Sequence, residues 1–128
     1  MSSQKTYAAI TVYHEARGES IDGQIAVAHV IFNRAEKHGI PVSEVVFQKQ
    51  QFSCYNEGNP PVTDYHAFVI AVEAVERCLE ERLHGKTLHR ATHYLNPDLT
   101  KKIRGGTLPR WYYKMRKVAK IGRHEFLR

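Results

Sequence analysis

The sequence predicts a mainly α-helical fold with a minor β element, and three observations support this prediction. Apolar residues recur at helical spacing in three long segments before Gly85. Glycine and proline fall singly between those segments, where they end helices. The 128 residues contain no repeat or low-complexity tract, as is typical of one domain around one core. We therefore expect a single domain over residues 1–128.

The first predicted helix contains Tyr7, Ile10, Thr11 and His14, which follow helical spacing. Gly18 lies where this helix should stop, because glycine favours helix ends. Glu15 therefore falls in the last helical turn. The small residues that follow it, Ala16 and Gly18, leave its carboxylate reachable.

The second predicted helix begins after Ser20, a good N-cap, and ends at Gly39, which Pro41 follows. Its apolar stripe is formed by Ile21, Ile25, Ala28, Phe32 and Ala35. Further apolar residues widen this face. We therefore expect this helix to lie at the centre of the fold.

The middle of the chain predicts a short helix, a loop and a third long helix. Ser43 could cap the short helix, and the polar residues 48–61 show the weak periodicity of a surface loop. Thr63 or Asp64 then starts the long helix, and Gly85 follows its end. Its apolar stripe is formed by Phe68, Val72, Val75 and Leu79. After it, residues 91–95 and 117–127 are candidate short extended segments.

Composition excludes a disordered or membrane-spanning chain. Hydrophobic residues make up 42% and charged residues 25%, which is ordinary for a globular protein. No apolar run approaches the roughly 18 residues of a membrane-spanning helix. The N-terminal residues lack the apolar region of a secretion signal, so we expect the protein to stay in the cytoplasm unless something else exports or releases it.

Positive charge is concentrated in the C-terminal segment, residues 101–128. The segment contains ten Lys and Arg residues and one acid, Glu125, so its net charge is +9. The net charge of the whole chain is +6, so the first hundred residues carry −3. Such a segment favours a polyanionic partner, which could be nucleic acid, an anionic membrane surface or an acidic wall polymer. The alternative is a solvated basic face without a dedicated partner.

Cysteine and histidine offer two weaker alternatives. Cys54 could be a nucleophile served by a histidine, although no family signature surrounds it. His89 and His93 are four positions apart, but we expect them in a loop-to-strand passage where they need not share a face. His14 and Glu15 match half of a zinc-protease motif, and Gly18 occupies the position of the second histidine. We therefore predict no metal and no other cofactor.

The segment YHEARGES, residues 13–20, places an acid at a helix end. By chemistry alone, a glutamate and an arginine this close are more often a surface ion pair. With residues 23–28 and 31–34, however, the segment resembles the signature of the spore-cortex-lytic, SleB-type cell-wall hydrolase family. Further blocks resemble that family in the same order, at residues 51–53, 91–97, 109–112 and 121–126.

The resemblance implies a lysozyme-like fold of the lytic transglycosylase kind, which cleaves the bond between N-acetylmuramic acid and N-acetylglucosamine. It implies that Glu15 is the catalytic acid and base, and that partial burial raises its pKa for this role. The sugar's own 6-hydroxyl would be the nucleophile, so one carboxylate would suffice. Glu19, the second motif glutamate, would then pair with Arg17 or another cation, or order the following turn.

The remaining predicted site residues would bind the sugar through amides, hydroxyls and aromatic faces. They are Glu19, Gln51, Phe52, Ser53, Tyr94, Asn96 and His124. Each polar candidate has a structural alternative: Gln51 as a loop donor, Tyr94 as a core edge and Asn96 as a turn former before Pro97. Trp111 is either a sugar platform or an anchor that packs the basic segment onto the core.

The predicted substrate is therefore bacterial peptidoglycan, and the prediction is a phage-type lysin that acts as a monomer. The basic segment would engage an anionic envelope surface rather than a dedicated nucleic acid. Alternatives within enzymes are a muramidase or an amidase that cuts between sugar and peptide stem. The alternative from another class is a basic binding module without turnover.

Overall fold

The structure is a computed structural model that describes residues 2–48 and 61–128, and its first element is helix α1 (Ser3–Ala16). The Ser2 hydroxyl caps this helix by accepting a hydrogen bond from the Lys5 backbone N–H at 3.3 Å. Glu15 lies in the last turn of α1, as predicted. The helix ends before Gly18, so it does not continue to Glu19.

Helix α2 (Ile21–His38) is the central helix of the fold. It starts at Ser20, whose hydroxyl accepts from the Gly23 backbone N–H at 3.2 Å. It ends at Gly39, which adopts a left-handed conformation (φ 63°) that glycine reaches without a steric cost. Every residue from 23 to 31 is buried. Both predicted ends and the central position are confirmed.

Helix α3 (Val42–Phe47) starts one residue before the predicted cap, so the assignment of Ser43 as N-cap was wrong. Pro41 takes the N-cap position with an extended backbone. The Val42 backbone N–H is satisfied instead by Gln4 of α1, whose side-chain oxygen accepts it at 2.6 Å. A contact between two helices thus replaces the local serine cap.

Helix α4 (Tyr65–Leu83) begins and ends where the sequence predicts. The Asp64 carboxylate accepts from the Ala67 backbone N–H at 3.0 Å, and Gly85 follows the helix with φ 80°. A turn at Leu88–Arg90 then leads to the sheet. Among the described residues, no helix has the length and apolar character that crossing a bilayer requires.

A small antiparallel sheet contains the two predicted extended segments. Its strands are β1 (His93–Leu95), β2 (Lys117–Ile121) and β3 (His124–Leu127), in the order β1-β3-β2. Two short helices between β1 and β2, α5 (Pro97–Ile103) and α6 (Arg110–Lys114), were not predicted. Each has two turns or fewer, which is too short to show a helical period.

Helices α1, α2 and α4 pack on one another through small residues. Ala8 and Ala9 of α1 and Ala71 and Ala74 of α4 are fully buried, so the helices approach closely. Phe126 of β3 is also fully buried and joins the sheet to this core. A phenylalanine buried in this way contributes roughly 1.5–3 kcal/mol to folding. The sheet is therefore fixed relative to the end of α1.

Candidate active site

Glu15 lies at the C-terminal end of α1, between the buried Tyr13 and the buried Ala16. Its side chain is partly buried, and one carboxylate oxygen, Oε1, is shielded from solvent. Removing an oxygen from water favours the neutral form of a carboxylic acid. The position therefore suits a group that gives up a proton to a substrate.

Tyr13 fixes this end of α1. Its buried hydroxyl accepts a hydrogen bond from Arg17 Nη1 at 2.7 Å and one from the Asp64 backbone N–H at 3.0 Å. The pKa of Tyr13 is lowered, first by the hydrogen bond with the Thr63 side chain. The start of α4 is thereby tied to the turn that carries Glu15. Arg17 also lies over the Tyr13 ring, 5.0 Å from its centroid.

Glu19 pairs with the sheet, and not with Arg17. Its Oε1 lies 3.4 Å from His124 Nδ1, and its backbone N–H donates to the Ala16 carbonyl at 2.9 Å. A Cβ placed on Gly122 would lie 3.7 Å from Glu19 Oε2, so the turn between β2 and β3 is beside it. Of the alternatives the sequence left open, the structure pairs Glu19 with a residue other than Arg17, the imidazole of His124.

Gln24 was missed as a supporting residue. It is buried, and its Nε2 donates to the Glu19 carbonyl at 3.2 Å, which holds the turn after α1 against the start of α2. Its Oε1 is also shielded from solvent. The sequence held a signal for this role, since Gln24 directly precedes the apolar residues 25–28 and a buried glutamine needs a polar partner.

Tyr94, His124 and Phe126 form an aromatic cluster next to Glu19. The Tyr94 and Phe126 rings are stacked with centroids 5.8 Å apart, and the Tyr94 and His124 rings meet edge to face at 5.7 Å. Tyr94 and His124 are partly exposed, whereas Phe126 is buried. The structure thus brings three predicted site residues together: Glu19, Tyr94 and His124.

The other predicted site residues have different positions. The side-chain oxygen of Asn96 caps α5 by accepting from the Leu99 backbone N–H at 3.1 Å, which is the turn-forming alternative. Gln51, Phe52 and Ser53 lie outside the described residues, as does Cys54. Cys78 is buried in α4, and burial raises the pKa of its thiol to about 12.

Trp111 packs against His93 of β1, with ring centroids 4.8 Å apart. Burial, followed by the charges of Arg34 and Lys37, lowers the pKa of His93 to about 4, so this ring is neutral at physiological pH. The contact holds α6 to the sheet, as expected of an anchor. Among residues 2–48 and 61–128, no three metal-ligating side chains come together.

Glu125 is a buried carboxylate that sequence analysis did not single out. Its Oε1 accepts from the Tyr112 hydroxyl at 2.6 Å, and its Oε2 lies 3.0 Å from Lys117 Nζ. Burial raises its pKa, but the hydrogen bonds from Tyr112 and Lys117 outweigh this effect and hold the pKa below its ordinary value. Glu125 therefore stays ionised and joins α6 to both β2 and β3.

The helical core with its small three-stranded sheet has a lysozyme-like fold. A profile of the cell wall hydrolase family matches residues 18–127, and the chain belongs to this family. The matched range begins after Glu15. The predicted resemblance and the predicted lysozyme-like fold are both confirmed.

Individual relatives extend the similarity over Glu15. The spore cortex-lytic enzyme of Halalkalibacterium halodurans is 33% identical over 121 residues, which is 92% of this chain and 32% of that protein. The catalytic domain of Bacillus cereus SleB superposes with a TM-score of 0.74 at 30% identity, over 99% of this chain and 91% of that domain. The catalytic domain of germination-specific lytic transglycosylase SleB from Bacillus anthracis superposes with a TM-score of 0.70 at 28% identity, over 100% of this chain and 97% of that domain. The chain spans about a third of the length of the H. halodurans enzyme.

Proposed function

We propose that this protein cleaves the glycan strand of bacterial peptidoglycan, between N-acetylmuramic acid and N-acetylglucosamine, as a lytic transglycosylase. The observation that carries the proposal is Glu15, a partly buried acid with a shielded oxygen at a helix end in a cell wall hydrolase domain. The name of the B. anthracis relative, a lytic transglycosylase, supports the same chemistry.

Glu15 acts twice in the proposed reaction. As the neutral acid it donates its proton to the glycosidic oxygen, and the bond between that oxygen and C1 of the muramic acid breaks. The 6-hydroxyl of the same sugar then forms the new bond to C1, and the Glu15 carboxylate accepts the hydroxyl proton. The products are a free 4-hydroxyl on N-acetylglucosamine and a 1,6-anhydro sugar, and Glu15 is neutral again.

Glu19 and its neighbours position the substrate in this scheme. Glu19 and His124 hold one another at 3.4 Å, so their polar groups form a fixed edge that can bind sugar hydroxyls. Tyr94, supported from behind by Phe126, offers a partly exposed aromatic face to a pyranose ring. We also assign substrate contacts to Gln51, Phe52 and Ser53 by their family resemblance. Asn96, whose Oδ1 caps α5, would contact the substrate through its Nδ2 group.

The masses of the digestion products test the proposal. Purified peptidoglycan digested by the enzyme should release fragments with 1,6-anhydromuramic ends, each lighter by one water than the product of hydrolysis. Reducing muramic ends would mean a muramidase, and intact glycan with released peptides would mean an amidase. No release at all, with binding that weakens steeply with salt, would identify a basic binding module.

A lysin of phage type is the cellular role we propose for this activity. Its support is the cationic segment at residues 101–128, which can hold the enzyme at an anionic envelope while Glu15 acts on the wall. The proposed cleavage reaction does not depend on this cellular role, which is tested separately on whole cells.

A further inference from the structure

A second concentration of polar groups lies at the end of the sheet away from Glu19. Two adjoining cavities, of about 370 and about 500 Å³, are both lined by Arg90 and Arg128. The smaller cavity adds Arg116 and Lys117, and the larger one adds Lys37. We call these five residues and the two cavities the cationic cleft.

The positive charge of the cationic cleft is largely unbalanced. Lys117 pairs with Glu125, but within the described part of the chain no carboxylate lies within ion-pair distance of the other four cations. Among the described residues that line the two cavities, Glu36 is the one acid, and its Oε2 already accepts from Arg82 Nη2 at 2.6 Å. Four cationic side chains of the cleft therefore lack an ion-pair partner among the described side chains.

Two of these cations are held directly opposite one another. The Arg116 backbone N–H donates to the Arg128 carbonyl at 3.0 Å, and the Arg128 N–H donates to the Arg116 carbonyl at 2.9 Å. Residues that exchange both hydrogen bonds in an antiparallel pair place their side chains on the same face. Like charges in this arrangement repel, so the pair disfavours the fold. A bound anion would convert the repulsion into attraction.

A third cation of the cleft, Arg90, lies in a turn with an unfavourable backbone conformation. Leu88, His89 and Arg90 all have positive φ, at 53°, 52° and 60°, although none is glycine. The buried Asn33 holds the turn by donating from Nδ2 to the Thr87 and Ala91 carbonyls, both at 2.8 Å. Backbone conformations of this kind persist where the surroundings enforce them, and they concentrate at functional sites.

We propose that the cationic cleft binds a phosphodiester group of an anionic wall polymer. Arginine side chains match the oxygens of phosphate with paired hydrogen bonds, and about four unbalanced charges exceed what one carboxylate would need. The large exposed apolar side chains, such as Leu99, Ile103 and Tyr113, lie outside the cleft, so it lacks the apolar flank of a membrane-binding surface. None of the described residues that line it is an exposed tyrosine, tryptophan or phenylalanine that would stack nucleic acid bases.

The cleft and the Glu15 site can be occupied at the same time. Strand β3 runs from His124, which contacts Glu19, to Leu127, next to Arg128 in the cleft. At about 3.3 Å per residue, His124 and Arg128, four residues apart, are separated by about 13 Å. The choice of a wall polymer as the source of the phosphodiester rests on the proposed function, whereas phosphate binding itself does not.

Titration calorimetry with poly(glycerol phosphate) oligomers at fixed ionic strength tests the proposal. The double variant Arg90→Gln/Arg128→Gln should bind at least tenfold more weakly than the unchanged protein, because it loses roughly two charge-assisted hydrogen bonds to the phosphate. The control variant Lys101→Gln/Lys102→Gln removes the same charge from exposed positions on α5 and should bind nearly as well as the unchanged protein. Equal weakening in both variants, or no binding by the unchanged protein, would overturn the proposal.

Two further measurements separate phosphate binding from effects on the fold and from other anionic ligands. Arg116→Gln alone should bind more weakly yet unfold at no lower temperature without ligand, because it removes the repulsion with Arg128. Tighter binding to phosphatidylglycerol vesicles or to a DNA duplex than to the polymer would contradict the assignment of the ligand. Because no peptidoglycan is present in these titrations, their failure would leave the proposed cleavage at Glu15 untouched.

Discussion

At the scale of single residues, the candidate site depends on how the end of α1 is held. Tyr13 is fully buried, and its hydroxyl ties Arg17 and the start of α4 to this end. The sequence left the partner of Glu19 open, because a local ion pair with Arg17 competes with pairing to a residue far along the chain. The structure resolves this in favour of His124, since Arg17 is already engaged by Tyr13.

Tyr13→Phe tests this role of the hydroxyl. The variant keeps the buried ring but loses the hydrogen bonds to Arg17 and the Asp64 backbone, so the midpoint of thermal unfolding should fall by a few degrees. The rate of wall digestion should fall with it, because the turn that carries Glu15 loosens. Tyr113→Phe is the matched control, since that ring is 71% exposed, and it should change neither quantity. Equal effects in the two variants would show that the Tyr13 hydroxyl does not hold the end of α1.

At the scale of elements, local signals predicted the long helices and tertiary contacts decided the rest. Ser20 and Gly39 marked both ends of α2 because caps act within one turn. Helix α3 started early because a side chain of α1, Gln4, supplied the cap. Helix α5 could have been found from Asn96 and Pro97, a cap followed by proline in the first turn, but seven residues show no period.

The contact between β1 and α6 should make stability depend on pH through His93. Its folded pKa of about 4 lies below the ordinary 6.5, so the unfolded chain binds the proton first as the pH falls. The free energy of unfolding should therefore fall as the pH is lowered from about 6.5 to about 4, and the loss should be complete below that window.

Urea unfolding across this pH range, compared with His93→Phe, isolates the effect. The variant keeps a ring against Trp111 but has no proton to bind at position 93, so its stability should change less with pH. Other buried histidines with lowered pKa values, such as His29, contribute equally to both proteins. Identical pH dependence in the two proteins would show that His93 does not titrate in this window.

At the scale of the whole molecule, the family and fold were predictable from ordered sequence blocks, whereas the distribution of charge on the surface was not. The sequence placed the positive charge in residues 101–128. In three dimensions part of it joins Lys37 and Arg90, from outside that segment, and part is neutralised by Glu125. A charge count along the chain cannot anticipate such groupings, because they depend on strand pairing and on a turn held by Asn33.

The lysin role predicts a difference between whole cells and purified wall. Replacing Lys114, Arg116, Lys117 and Lys120 by glutamine should slow the lysis of cells more than the digestion of isolated peptidoglycan, because envelope attraction is needed only for cells. The effect should diminish at high salt, where these charges are screened. Equal losses on both substrates would count against the lysin role.

Measuring the release of 1,6-anhydromuramic fragments by Glu15→Gln tests the central claim most directly. Glutamine keeps the size and hydrogen bonding of the side chain but cannot transfer the proton, so the rate should fall by about 10²–10⁴-fold. Glu19→Gln, four residues further along the chain, is the matched control. It should lose far less activity, because Glu19 only positions the substrate in this scheme, and both variants should unfold near the temperature of the unchanged protein. Release of these fragments by Glu15→Gln at the unchanged rate would contradict the assignment of Glu15 as the catalytic acid and base.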